Sequence, residues 1–363
     1  MISVQHLRDA YEGTAPFATV VLDVSRNTEA ADHQVELRWR AAAERLTGEG
    51  AAEDVVDALA ARALDLHHEP GDLTRFIVAD TAGVKLDLLV PGRQPDHASV
   101  GPLPELASLV EAELTALPHV LVVVDRLGAE VSEIGRGDDV TTEVEGGDQP
   151  VRKVPGGGWS HRRFQQRAEN MWERNAKEVA EAVSSAVRRS GAQLIAVAGD
   201  VRATEKLVEQ LPQRDQDILV RLDSGGRDEA SDEAALREEL GRAVALRIGR
   251  VAQQAHEQVR QELGRGGTAA EGTDAVLTAL QRAQVATLVI RRGWADDSPV
   301  WVGPEAVHLA RDADDLSGLG VEHPQQARLD AAVIRAAVGT DATVELAMGQ
   351  EADVTALLRY ADG

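Results

Sequence analysis

The chain has 363 residues, 43 % hydrophobic and 27 % charged, a formal net charge of −23 and no cysteine. At roughly 100–200 residues per domain this length calls for two or three cores, and the balance of apolar and charged residues is globular rather than disordered. The missing cysteines exclude disulfides, thiolate metal sites and cysteine nucleophiles, while the acidity excludes a protein, a DNA binder included, that lies with its whole surface on phosphate.

The first third reads as an α/β domain. FATVVLDV (17–24), TRFIVAD (74–80), VKLDLLV (84–90), HVLVVVD (119–125) and AEVSEIG (129–135) are short, rich in β-branched residues and bounded by Gly, Pro or Asp, which predicts strands. Residues 29–47 and 52–66 between them carry helical periodicity, with Val35, Trp39, Ala42 or Ala43, and Leu46 on one stripe. No apolar run approaches the roughly 20 residues of a membrane helix, and the N-terminus MISVQHLRDAYEGT lacks the basic-then-apolar order of a signal peptide, so a cytoplasmic location is expected.

At 138–150 the run DDVTTEVEGGDQP has the acid, glycine and proline content of an exposed connection. VRKVPGGGWSHRR follows, and a helix is predicted from Arg162: Phe164, Ala168, Met171 or Trp172, Ala176, Val179, Val183 and Val187 recur three or four apart, up to Ser190-Gly191. Residues 151–190 hold nine Lys or Arg against four Glu, a local net of +5 within an acidic chain. Such an island suits an element inserted into RNA; a solvated helix face is the plainer reading of the same charges. Strands are expected at 192–200 and 217–223, with a helix over 201–211 and a second long helix from about 231 to 263.

The last ninety residues read as a helix at 273–283, a strand at 286–290, an acidic insert, a helix at 325–337, a strand at 342–347 and a final helix through Leu357-Leu358-Arg359-Tyr360. The domains expected are therefore 1–140, 141–268 and 269–363, three α/β units. Other constellations are weaker. His67-His68-Glu69 has no second ligand cluster and reads as a helix C-terminal cap. Gly264-Arg265-Gly266-Gly267 follows a helix and lacks the Lys-Ser/Thr of a phosphate loop, so it reads as a linker. Asp312, Asp314 and Asp315 lack the glycine and distal glutamate of a calcium loop, and there is no serine-nucleophile elbow. No cofactor, metal or small-molecule chemistry is indicated.

Gly157-Gly158-Trp159-Ser160-His161-Arg162-Arg163-Phe164 resembles a pattern of the archaeo-eukaryotic peptide-chain release factor family, Gly-Gly-Gln-Ser, two variable residues and Arg-Phe opening a long helix; it departs only at Trp159. Arg167, Glu173-Arg174-Asn175 and Lys177-Glu178-Val179-Ala180-Glu181 are similar to the family's charged helix, and Ala196-Val197-Ala198-Gly199 to the strand after it. Gly272-Thr273-Asp274-Ala275-Val276, Ala279-Leu280 and Val285-Ala286-Thr287-Leu288-Val289-Ile290 resemble the start of the family's third domain, which has the fold of kink-turn-binding ribosomal proteins. Ala356-Leu357-Leu358-Arg359-Tyr360 resembles its ending. The resemblance covers about residues 151–363, and its nearest branch is the bacterial one that includes the ribosome-hibernation factor Balon and related stress proteins of actinobacteria. It implies a protein in the ribosomal A site, its middle-domain loop toward the peptidyl-transferase centre, with elongation factor Tu as a partner.

In the family, the two glycines free the backbone to approach the ester of peptidyl-tRNA, and the glutamine positions water and a backbone N–H near the developing oxyanion. Trp159 at that position brings one donor, no acceptor and more bulk, so hydrolysis is not expected. What remains is RNA contact: Trp159 stacking on an unpaired base, Arg162, Arg163 and Arg167 holding phosphates, and Gly156, Gly157, Gly158, Ser160, His161 and Arg174 completing the ribosome-binding set. Folding of Trp159 onto its own domain as an apolar anchor is the alternative. The stop-codon tetrapeptide Asn-Ile-Lys-Ser and the Tyr-Cys pattern of codon readers are absent from residues 1–140. The expectation is a ribosome-binding hibernation factor without peptide release; the rival expectations are a peptidyl-tRNA hydrolase that rescues ribosomes and a tRNA-binding interaction protein.

Overall fold

The computed structural model describes residues 2–26, 30–65, 72–125, 128–135, 140–145, 159–225, 233–348 and 352–360, with the side chains of 159–174 outside that description. The chain opens with β1 (Ile2–Ser3), α1 (Arg8–Tyr11) and β2 (Phe17–Asp23), then α2 (Ala31–Gly48), α3 (Glu53–Ala63), β3 (Leu73–Asp80), β4 (Gly83–Pro91), β5 (His97–Gly101) and α4 (Ala107–Thr115). There follow β6 (His119–Val124), β7 (Gly128–Ile134), β8 (Val140–Glu145), α5 (Trp159–Ser190), β9 (Leu194–Gly199), α6 (Val201–Gln210), α7 (Gln213–Gln216), β10 (Leu219–Arg221) and α8 (Glu233–Gly264). The last stretch is β11 (Ala269–Glu271), α9 (Thr273–Gln281), β12 (Val285–Arg291), β13 (Pro299–Val302), β14 (Leu309–Ala310), α10 (Ala313–Ser317), β15 (Gln325–Arg328), α11 (Leu329–Gly339), β16 (Thr343–Ala347) and β17 (Val354–Leu358).

The α/β class is as expected, but the division of the chain is not. Two compact units replace three: residues 1–116 together with 250–363, and residues 117–249. The expected boundary at 140 falls at 117 because β6 pairs in parallel with β9, so the apolar run 119–124 is the inner strand of the middle sheet. Residues 138–150, read as a connection, contain β8, the sheet's outer strand paired to β7; an edge strand with one free side tolerates such polar composition.

In the first unit, the antiparallel sheet β4-β3-β2-β5 is covered on both faces. Val20, Leu22, Ile77 and Ala79 pack under Val35, Trp39, Leu46 and Leu59 of α2 and α3. From the opposite face Phe17, Val21, Phe76 and Val78 enter one core with Leu280, Leu288, Ile334 and Val344 of the last region. That shared core merges the first and third expected domains. α11 lies inside it, with every residue of Leu329–Val338 buried except Arg335, which is only partly so, as a helix apolar all round requires.

The last region carries the sheet β1-β16-β12-β17-β11, whose outer strand β1 comes from the N-terminus. Two sequence expectations fail here. The run 325–337 begins as strand β15, paired to β13, before becoming α11 at Leu329. The ending 354–358 is strand β17, held between β12 and β11, because five residues flanked by two strands satisfy more backbone in pairing than in one isolated turn. Asp314 and Asp315, in the acidic insert, occupy the first turn of the short helix α10.

The middle unit is a sandwich around the sheet β10-β9-β6-β7-β8. Val179, Val183 and Ala186 of α5 and Leu207 of α6 cover one face with Val120, Val122, Ile195 and Val197. Leu236, Leu240 and Val244 of α8 cover the other, over Ala196, Ala198 and Leu222.

Candidate functional site

The helix that carries the loop residues begins at Trp159, three residues before the expected start at Arg162, and runs 32 residues to Ser190. Gly156, Gly157 and Gly158 lie outside the described residues; Trp159, Ser160, His161, Arg162, Arg163, Arg167 and Arg174 are placed by backbone alone. At 3.6 residues per turn, positions 159, 163, 167, 174, 177, 181 and 188 fall within about 40° of one line along α5. Ala176, Val179, Val183 and Ala186, all buried, fall within about 40° of the opposite line. The line is therefore the helix's outer face, and Lys177, Glu181 and Arg188 on it are exposed. With Asn170 and Ser185, which fall in the same sector, its residue types are Trp, Arg, Arg, Asn, Arg, Lys, Glu, Ser, Arg. Arg162 sits about a quarter turn off the line, so the structure separates it from Arg163, Arg167 and Arg174, whereas sequence reasoning grouped all four. Lys177 and Arg188 are the members that reasoning missed, although their spacing was readable once the register of the buried face was known.

Asn175 and Val179 of α5 meet Val124 and Asp125 at the C-terminal end of β6, where side chains of α/β sheets commonly converge. Asp200 accepts from the Arg202 and Ala203 N–H groups and so caps α6, while its own N–H donates to the Val124 carbonyl. Asp125 accepts from the Gly128 N–H and closes the turn into β7. The pocket lined by Val124, Asp125, Gly128, Asn175, Val179 and Lys206 has about 20 Å³ of free space, room for one or two waters and far below a substrate site of roughly 300 Å³. On the far end of α5, the Arg189 guanidinium donates to Glu133 on β7, and Ser184 donates to the buried Asp215 at 2.5 Å. These bonds fix the register of the helix on its sheet.

Charge is divided unequally between the two units. Residues 1–116 and 250–363 hold 19 Lys or Arg against 37 Asp or Glu, a formal −18, whereas residues 117–249 hold 19 against 24, a formal −5. Several carboxylates of the first unit are committed to internal pairs. Asp23 accepts from Ser25 and faces Arg38 at 3.3 Å; burial pushes its carboxyl up, and these bonds and cations hold it below the usual range. Among the described residues no group of three His, Asp or Glu is placed to hold a metal ion, and no helix is long and apolar enough to cross a membrane. His67-His68-Glu69 lies outside the described residues. Gly264 ends α8 and Gly266 turns the chain with φ +62° toward β11, so the run expected to link two domains is a turn within the first unit.

Residues 118–265 match the model of bacterial archaeo-eukaryotic release factor family 2. The chain is 30 % identical over 367 residues, covering 98 % of itself and 96 % of the other protein, to "Uncharacterized protein Rv2629" of Mycobacterium tuberculosis strain ATCC 25618 / H37Rv, and equally to "Uncharacterized protein MT2704" of strain CDC 1551 / Oshkosh. Among solved structures it is similar to archaeal Pelota in a model with ABCE1 on the ribosome, at 14 % identity and TM-score 0.43, covering 99 % of this chain and 94 % of that one. It is similar also to the archaeal termination factor aRF1, at 16 % identity and TM-score 0.26, with 98 % and 96 % covered. With the family model matched across the middle unit and relatives matched over nearly their full length, the chain belongs to bacterial archaeo-eukaryotic release factor family 2.

Proposed function

We propose that this chain is a ribosome-binding factor of the cytoplasm, a hibernation factor that occupies the A site with its middle unit toward the peptidyl-transferase centre and releases no peptide. The observation that carries the reading is Trp159 in the place of the family's glutamine, at the head of a 32-residue helix with a mainly cationic outer line. The family membership supplies the ribosome; the tryptophan argues against hydrolysis, since it has no acceptor with which to orient water. The formal −18 of the other unit favours keeping that unit off RNA, leaving the middle unit as the element that enters it. Elongation factor Tu is the proposed delivering partner.

Cosedimentation with 70S ribosomes from stationary-phase cells tests the reading. The wild-type chain should pellet with ribosomes, and Arg163→Glu with Arg167→Glu should weaken this roughly tenfold at moderate salt. No association under any growth condition removes the proposal. A stalled peptidyl-tRNA complex treated with the wild-type chain should keep its nascent peptide; release there would favour the rescue-hydrolase reading, and a gain of release in Trp159→Gln would show what the tryptophan replaced.

A further inference from the structure

We infer that the outer line of α5 tracks an RNA phosphate backbone beyond the loop itself, with Lys177 and Arg188 as phosphate contacts that extend the line past Arg163, Arg167 and Arg174. This inference rests on the ribosome-binding reading and specifies which surface of the helix is used.

The geometry is set by the buried face. Ala176, Val179, Val183 and Ala186 hold α5 on the sheet, with Val179 1 % and Val183 0 % exposed, so rotation of the helix about its axis is excluded. The Arg189–Glu133 and Ser184–Asp215 bonds fix it lengthwise. With the register fixed, Lys177 and Arg188 point away from the unit and are exposed, and among the described residues neither has an ion-pair or hydrogen-bond partner. Of the other exposed cations of the unit, Arg214 pairs with Asp215, Arg237 with Glu233 and Arg242 with Glu238, whereas Arg202 and Arg221, off the line, have no such partner among the described residues. Two free cations on the line that also holds three arginines form a series with axial intervals of about 5 to 16 Å at 1.5 Å per residue. Glu181 is the one acid on the line, between Lys177 and Arg188. It makes a gap there, which divides the cations into a group of four near the loop and Arg188 alone at the far end. An extended phosphate strand matches this series of about 37 Å from 163 to 188, far longer than a small anion spans, and the ribosome-binding reading makes RNA its occupant.

Binding of Lys177→Ala/Arg188→Ala and Lys177→Glu/Arg188→Glu chains to 70S ribosomes, measured by cosedimentation across 50–200 mM salt, tests the assignment. Removing one cation from a phosphate should lower the slope of log affinity on log salt by about 0.7–0.9, so the alanine pair should lower it by about 1.5 and bind several-fold more weakly, the glutamate pair more weakly still. Arg202→Glu, an exposed cation on α6 off the line, is the charge-matched control and should bind as the wild type. Variants that bind with the wild-type slope while the wild type binds ribosomes overturn the line alone. An Arg202→Glu chain weakened as much as the pair also overturns it, by showing a general charge effect. A wild-type chain that pellets with no ribosomes overturns the ribosome reading and this inference together. Unchanged thermal melts confirm that the variants are folded.

Discussion

At Gly199 the backbone takes φ +120°, and a Cβ there would overlap the Val124 carbonyl that accepts from the Asp200 N–H. A side chain is excluded twice, by the dihedral and by the close strand. Gly199→Ala should cost about 3 kcal/mol or more, read by denaturant unfolding, and Asp200→Ala about 1 kcal/mol through removal of the α6 cap. In the first unit, the Glu105 carboxylate faces His97 at 2.8 Å and Arg328 at 3.4 Å. Burial pushes its carboxyl up, but the His97 bond and the Arg328 charge outweigh this and hold it below the usual glutamate range. Asp80, 1 % exposed, behaves alike: burial raises it, and the Thr14 and Ala82 N–H groups with Lys85 bring it below the usual aspartate range. A carboxyl depressed by folding stabilises above its unfolded value and stops doing so as pH falls through its folded one. Thermal midpoints should therefore decline below the ordinary carboxylate range, and Glu105→Gln should flatten part of that decline while lowering the midpoint near neutrality.

α11 illustrates packing at the scale of the element. Its sequence, LDAAVIRAAVG, is apolar on all sides but for Asp330 and Arg335, and the structure surrounds it with α9, the sheet β14-β13-β15, the N-terminal segment and α4. Ile334 is 0 % exposed, so Ile334→Ala should cost about 2–5 kcal/mol in the same unfolding measurement. A cost below about 1 kcal/mol would contradict the packing. α5 is the opposite case, one face fixed and the other polar, and that asymmetry makes its outer residues available to a partner. The same amphipathic pattern made α5 easy to read in the sequence, whereas the end of the chain was misread. Ala356, Leu357 and Leu358 carry no helical or strand period of their own over so few residues, and only their two neighbouring strands make them β17.

For the whole molecule, the N-terminal segment decides how many bodies there are. Ile2 and Ser3 pair with Val344 and Thr343 at the edge of the last sheet, and Val4, Leu7 and Ala10 are fully buried in the shared core. Gln5 and Arg8 both donate to the Asp341 carboxylate, at 2.9 and 2.7 Å. Closing that junction joins the first region to the last. Because the chain has no cysteine, Ser3→Cys with Thr343→Cys isolates it: residues paired across antiparallel strands lie within disulfide reach. Mild oxidation should give a monomeric crosslinked chain that keeps its fold. Crosslinked dimers, or no crosslink, would show that the segment does not dock within its own chain.

The sequence by itself determined the α/β class, most strands and long helices, the basic island and the Gly-Gly-Trp departure from the release-factor loop. Each of these is written in local periodicity, local charge or a short motif. Tertiary structure decided what depends on distant partners. It moved 119–134 into the middle sheet by pairing β6 with β9, and it merged the first and last regions through one core. It turned 354–358 into a strand, and it set which side of α5 faces outward. The physical reason is common to all four: strand pairing and burial join residues far apart in the chain, and the energy of those interactions exceeds the small local preferences that a single sequence displays.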